Sequence, residues 1–180
     1  MLLSHTELKE LVKRRVITNV TDDMINSASI DITLGSRVIV EGKPNAGDSL
    51  MILRDKPSLH GYTIDINEDG LTLEPGDFAL ACSQQAFNLP NDISAEYKLK
   101  SSMARIGLEH FNAGWCDAGW NGSVLTMELI NLTKHHKIRL FPGDKIGQIV
   151  FFRHVEVPEE ASYAKRGRYN NDKTVSGAKA

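Results

Sequence analysis

Leu71-Thr-Leu-Glu-Pro-Gly-Asp-Phe-Ala-Leu-Ala81 and Ile138-Arg-Leu-Phe-Pro-Gly-Asp-Lys-Ile-Gly-Gln-Ile-Val150 are built to one design. In each, a short alternating run meets Pro-Gly-Asp and a second apolar run follows. Proline fixes the φ that position i+1 of a type II turn needs, and glycine supplies the positive φ at i+2. Each segment therefore reads as strand, tight turn, strand. Two such units in a chain of 180 residues predict an all-β fold, a distorted β-barrel or jelly roll.

The flanks fit that frame. Ser29-Ile-Asp-Ile-Thr-Leu34 alternates with period two and reads as a strand that stops at Gly35. Residues 41–61 read as a loop with weak strand content. The one helix expected is short and N-terminal, over residues 4–15. Ser4 and Glu7 have capping-box spacing, Leu3 and Leu8 can staple it, and Lys13, Arg14 and Arg15 fall where the helix dipole favours cations. The whole chain reads as one domain, with a polar, basic tail from about 163 to 180 expected to be mobile.

Lys and Arg number 21 against 23 Asp and Glu, a net charge of −2. That balance excludes a broad basic surface for a nucleic-acid polymer, so any cation that matters acts locally. Cys82 and Cys116 are the only cysteines, too few for a disulfide framework, and reduced thiols in a cytoplasmic protein are expected. The N-terminal MLLSHTELKE lacks a signal-peptide core, and no run approaches the roughly 20 apolar residues of a membrane helix. No membrane partner is expected.

Ser101 to Glu128, SSMARIGLEHFNAGWCDAGWNGSVLTME, holds most of the residues suited to chemistry. From Ser123 to Asn131, alternation puts Val124, Thr126, Glu128 and Ile130 on one face and Leu125, Met127 and Leu129 on the other. A carboxylate on so apolar a strand can shuttle protons if burial raises its pKa. It equally fits the solvated face of an antiparallel strand. Ser101, Ser102 and Arg105, with Lys98 and Lys100 nearby, can ring an oxyanion, or form a solvated charged loop. In Ala113-Gly-Trp-Cys-Asp-Ala-Gly-Trp-Asn-Gly122, glycines permit close backbone approach and hold Asp117 on a tight turn. Trp115 and Trp120 there offer flat faces to a sugar or base, or merely brace a hairpin. The P-C-x-x-C half of the zinc-deaminase signature is missing. His135 and His136 are adjacent, point apart in a strand, and read as surface residues. No Walker A or G-x-G-x-x-G loop occurs.

Taken together and in order, several of these strings resemble one family. They are Ala28-Ser-Ile-Asp-x-x-Leu-Gly35, Leu89-Pro-Asn-Asp-Ile-Ser-Ala95, Ser101-Ser-x-x-Arg105, Asn112-Ala-Gly-Trp-Cys-Asp-Ala-Gly-Trp120, Thr126-Met-Glu-Leu129 and Ile146-Gly-Gln-Ile149. The family is the dCTP deaminases of the trimeric dUTPase-like superfamily, and the resemblance runs from Leu3 into the tail. It implies a homotrimer with active sites between subunits, and zinc-independent hydrolysis of the exocyclic amine of dCTP. Mg²⁺ would ride on the triphosphate, with no metal site built by the protein. Glu128 would be the general base, with Ser101 and the Ala113 backbone positioning the water. Ser102, Arg105, Tyr163 and Arg168 would hold the triphosphate, Lys100 lying among them. Gln148 would contact the nucleotide, Asp117 the deoxyribose, and Trp120 would lie near the sugar, with Thr126 beside Glu128 and Trp115 beside Asp117.

Ala113-Gly-Trp115 resembles the branch that also cleaves dUTP to dUMP and diphosphate, where single-activity members carry Ala-His-Arg. Gly114-x-x-Asp117-x-x-Trp120 likewise resembles the dUTPase motif whose aspartate orients water toward the α-phosphorus. Three residues at two places depart from the family. Leu99-Lys100 stands where Gly-Arg is usual, and Asp172 stands at a usual glutamine. The readings that remain open beside dUMP formation are deamination alone, releasing dUTP, dUTPase activity alone, and a non-catalytic nucleotide-binding relative.

Overall fold

The computed structural model describes residues 1–44, 50–55 and 57–179. Residues 45–49 and 56 of the expected loop, and the last residue of the tail, lie outside the described residues. Ten strands follow in chain order: β1 (Ile30–Glu41), β2 (Gly61–Asp65), β3 (Leu71–Leu73), β4 (Phe78–Asn88), β5 (Ile93–Leu99), β6 (Leu108–Glu109), β7 (Trp115–Cys116), β8 (Asn121–Asn131), β9 (Ile138–Leu140) and β10 (Lys145–Arg153). The main antiparallel sheet runs β6-β8-β4-β1-β10-β5-β7, with β2 added to β1, and β3 pairs with β9 apart from it. The sheet curls as a distorted half-barrel around one apolar cluster, fed by side chains from the N-terminal helix through β10.

Both Pro-Gly-Asp segments form the turns expected of them. Gly76 and Gly143 have φ of 89° and 92°. The Asp77 N–H donates to the Glu74 carbonyl at 3.0 Å, and the Asp144 N–H to that of Phe141 at 3.1 Å. The aspartates close the same turns from the other side: their carboxylates accept from the N–H of Glu74 at 2.9 Å and of Phe141 at 2.8 Å. Each turn is then clipped to a neighbouring strand in one way. The Gly76 N–H donates to the Asn131 carbonyl at 2.8 Å, and the Asp77 carbonyl accepts from the Asn131 N–H at 3.2 Å. Gly143 and Asp144 make the equivalent pair with Leu34, at 2.8 and 2.9 Å. The strands before the turns pair with each other, Leu71 opposite Leu140 and Leu73 opposite Ile138. The strands after them, β4 and β10, flank β1. The repeat in sequence is thus a repeat in space.

The N-terminal helix, α1 (His5–Lys13), starts as read. The Glu7 carboxylate accepts from the Ser4 N–H at 3.0 Å and its hydroxyl at 3.3 Å, and Leu3 and Leu8 are both buried. It ends earlier than expected, because Arg15 takes a φ of 58°. That left-handed residue turns Val16 and Ile17 into the core. β1 also departs from its reading by running on through Gly35. A Cβ at Gly35 would lie 2.7 Å from Cys82 Sγ, so here glycine marks a close strand approach and not an end. β1 pairs β10 over Ile30–Thr33, then β4 and β2 over its second half. Two short helices were not foreseen, α2 (Ser101–Arg105) and α3 (Tyr163–Arg166); neither is long enough to show an apolar stripe. His135 and His136 are exposed surface residues as expected, but they lie in the β8–β9 loop and not in a strand. Among the described residues, no helix is long and apolar enough to cross a membrane.

A Cβ added at Gly76 or Gly143 meets nothing within 4 Å, so alanine there is strained only by its backbone. Gly76→Ala and Gly143→Ala should each cost about 1 kcal/mol in urea unfolding, and the double variant should cost the sum within about 0.5 kcal/mol. Unchanged midpoints would show that these turns do not need the positive φ.

Candidate active site

Burial along β8 alternates as the sequence implies. Leu125, Met127 and Leu129 are buried, while Val124, Thr126, Glu128 and Ile130 are half-buried. The β4 register sets Glu128 opposite Leu80 and Thr126 opposite Cys82. Glu128 opens into a cavity of about 540 Å³, whose wall includes Ala113, Trp115, Asp117, Thr126 and Tyr163. Burial raises the Glu128 carboxyl above its ordinary range, and a hydrogen bond from its own backbone offsets this only in part. A carboxyl with a raised pKa is suited to proton transfer nearer neutral pH.

The loop carrying Ala113 is shaped by two consecutive left-handed residues, Phe111 (φ 58°) and Asn112 (φ 55°). They return the chain to β5, where the Gly114 carbonyl accepts from the Tyr97 N–H at 2.8 Å. A Cβ at Gly114 would stand 2.2 Å from the Tyr97 carbonyl oxygen, so this backbone path needs glycine. Trp115 is exposed, and its indole N–H donates to Asp117 Oδ1 at 2.8 Å. That bond holds the carboxylate and leaves its other oxygen free to accept. Cys116 beside it is buried, and burial and then the Asp117 charge push its thiol up to about 12, so it stays a protonated thiol. Trp120 touches the cavity, but it is chiefly a core residue. It is 7% exposed and stacks on Phe87, with ring centroids 5.1 Å apart.

The tail, expected to be mobile, folds back along β8. The indole N–H of Trp120 and the Ser123 hydroxyl both donate to the Tyr169 carbonyl, each at 2.8 Å. The Val124 N–H donates to the Asp172 carbonyl at 2.8 Å, and the Asp172 N–H donates to Ser123 Oγ at 3.1 Å. Tyr169, Asp172 and Ser176 thereby join the cavity wall. The Asp172 charge is met within the tail: Ser176 Oγ donates to it at 3.0 Å, and Lys179 Nζ pairs with it. Arg168 donates to the Lys179 carbonyl at 3.1 Å and so closes the same loop. Sequence reading singled out Asp172 only as a departure from the family. Its place in the cavity depends on Ser123 and Trp120, whose side chains catch the tail backbone, and no local pattern reports that.

The other expected site residues lie outside this cavity. Ser101, Ser102 and Arg105 are exposed on α2, just after β5. Gln148 on β10 faces Asp31 on one side and Lys98 on the other. Lys100, expected among the residues that hold the triphosphate, is engaged elsewhere: its Nζ pairs with Asp31 Oδ1 at 2.6 Å, and Lys145 pairs with Asp31 Oδ2 at 3.1 Å. Burial pushes the Asp31 carboxyl up, but hydrogen bonds from Lys100, Asn26 and Lys145 outweigh it and hold it below the usual carboxylate range. Among the described residues, no group of three or more His, Cys, Asp or Glu side chains is placed to hold a metal ion.

The model of the dCTP deaminase-like family matches residues 2–154. A Nanoarchaeum equitans protein named dCTP deaminase, dUMP-forming, is 34% identical over 194 residues, spanning 99% of this chain and 96% of its own length. A Beutenbergia cavernae protein of the same name is 33% identical over 188 residues, spanning 100% of this chain and 95% of its own. Among solved structures, the 2′-deoxycytidine 5′-triphosphate deaminase from Agrobacterium tumefaciens superposes with a TM-score of 0.66 at 23% identity. That match covers 85% of this chain and 48% of the Agrobacterium chain, and it is a likeness of fold.

Ser123→Ala removes a donor to Tyr169 and an acceptor for Asp172, which should weaken tail docking by about 1–2 kcal/mol. Hydrogen exchange at the Val124 and Asp172 amides should then speed up about tenfold. Unchanged exchange would mean that Ser123 does not hold the tail.

Proposed function

Because this chain belongs to the dCTP deaminase-like family, we propose that it hydrolyses dCTP to dUMP, ammonia and diphosphate in two steps. The observation that carries this reading is the cavity in which Glu128, its pKa raised by burial, opens beside Asp117 and the Ala113 backbone. The full-length relatives named as dUMP-forming support the same activity.

In the first step, Glu128 takes a proton from water as its oxygen adds to C4 of cytosine, and passes that proton to N3. The tetrahedral adduct then collapses. Its hydroxyl proton moves through Glu128 to the amine, which leaves as ammonia, and C4 keeps the oxygen of uracil. Ser101 and the Ala113 backbone hold the water. A carboxyl whose pKa lies nearer neutrality suits both transfers better than an ordinary one. In the second step, Asp117, steadied by Trp115, orients a water toward the α-phosphorus. The bond from that phosphorus to the bridging oxygen breaks, and diphosphate leaves.

Ser101, Ser102, Arg105 and Gln148 stand apart from the Glu128 cavity, which supports a site completed by a neighbouring copy in a homotrimer. In that assembly α2 would bring Ser102 and Arg105 to the triphosphate, with Tyr163 and Arg168 of the tail closing over it. Lys100, paired with Asp31, would contribute through the charge of that cluster and not by direct grip. Magnesium would arrive on the triphosphate, coordinated by phosphate oxygens and water, and would neutralise phosphate charge. The natural setting of such an enzyme is the deoxynucleotide pool of the cytoplasm.

Incubation with dCTP and Mg²⁺, resolved by chromatography, should give dUMP and diphosphate. Accumulated dUTP would remove the second step, and unchanged dCTP would remove both. Glu128→Gln should bind nucleotide but deaminate about 10²–10⁴-fold more slowly; retained activity would take Glu128 out of its role. The pH dependence of kcat/KM should show an acid limb above the ordinary carboxyl value of 4.5. The same raised pKa makes the ionised carboxylate a stability cost, absent below the unfolded value and fully present above the folded one. Glu128→Gln should therefore melt higher than the parent near pH 7, and the difference should vanish in acid.

A further inference from the structure

Gln148 and Asp31 face each other across β1 and β10, and a chain of side chains links them. Asp31 is 3% exposed and, paired with two lysines, is an ionised group that only accepts hydrogen bonds. Its Oδ1 takes the Asn26 amide N–H at 2.9 Å, which fixes the way that amide points. The same Asn26 nitrogen lies 3.4 Å from Ser29 Oγ, on which its second N–H bears. Ser29 Oγ therefore accepts on that side, and the single hydroxyl proton goes onward to Gln148 Oε1, at 3.1 Å. Ser29 is 8% exposed, so water has little access to compete for that proton. With its carbonyl oxygen taken, Gln148 must present its NH₂ on the open side.

An isolated glutamine amide offers its oxygen and its nitrogen almost interchangeably. Here the choice is made by a buried charge three groups away.

We propose that Asn26 and Ser29 are positioning residues that convert the charge of Asp31 into one amide orientation of Gln148, so that Gln148 meets the nucleotide as a hydrogen-bond donor and selects an acceptor oxygen. The proposal rests on the reading that Gln148 touches the nucleotide. Neither Asn26 nor Ser29 contacts substrate in this account. They act by removing the alternative rotamer, which would turn a carbonyl oxygen against an oxygen of the ligand.

Steady-state kinetics on dCTP with Gln148→Ala, Ser29→Ala, their double variant, Ser29→Thr and Gln148→Glu test both layers. Gln148→Ala should raise KM about tenfold, the loss of one good donor. Ser29→Ala should raise KM about three- to tenfold with kcat within about twofold, since only the orientation is freed. Ser29→Thr keeps the hydroxyl and should restore most of the loss. The double variant should be no worse than Gln148→Ala alone, because the two act through one contact. Gln148→Glu can still accept from Ser29 but offers the ligand only acceptors, so its KM should exceed that of Gln148→Ala. If Gln148→Ala leaves KM unchanged, the nucleotide contact itself is wrong. If Gln148→Ala weakens binding but Ser29→Ala does not, if their effects add, or if Gln148→Glu binds better than Gln148→Ala, the contact stands and the positioning chain is overturned.

Discussion

The register between β4 and β8 governs where chemistry is possible in this molecule. It sets Glu128 opposite Leu80, with Met127 and Leu129 beneath in the core. A slip of one residue would turn every β8 side chain to the other face, sinking the carboxylate into the core and lifting methionine and leucine into the cavity. Three features pin the register. The Ser83 hydroxyl accepts from the Leu125 N–H at 2.9 Å. The far end of β8 is clipped at Asn131 by the first Pro-Gly-Asp turn. Between Cys82 and Ala86 the ladder shifts register at a bulge, and bulges pin strand pairing. The turn whose chemistry is plainest in the sequence thus holds the strand that carries Glu128.

What was legible in the sequence was local. Period-two alternation placed Glu128 on the right face of β8, the Pro-Gly-Asp repeat gave both turns, and Ser4 with Glu7 gave the start of α1. What was not legible depended on partners distant in the chain. Gly35 looked like a strand end because the close approach of Cys82, 47 positions later, leaves no local mark. The tail looked free because its docking relies on Ser123 and Trp120, which read as strand and hairpin residues. The pairing of Lys100 with Asp31 left no local mark, because strand pairing brings together residues 69 positions apart. Likeness to a family supplied the expected residue roles; the fold gathers Glu128, Asp117, Trp115, Thr126 and Tyr163 around one cavity.

Local pairing in the fold accounts for Lys100 and Asp172, where the chain departs from the family pattern. Lys100, where arginine is usual, lies against a carboxylate that Lys145 shares, so the pair of lysines and Asp31 form a fixed cationic cluster instead of a reaching guanidinium fork. Asp172, where glutamine is usual, has its charge met by Lys179 and Ser176 within the same loop. Each changed residue has a compensating partner in this chain, and neither is left as an isolated charge.

The central claim is that one cavity serves two hydrolyses, with Glu128 directing water to C4 of the base and Asp117 directing water to the α-phosphorus. Turnover of dCTP in H₂¹⁸O, read by mass spectrometry, tests it most directly. The account predicts dUMP carrying two heavy oxygens, one on the base and one on the phosphate. dUTP labelled only on the base, or dUMP with the second heavy oxygen in diphosphate instead, would contradict it.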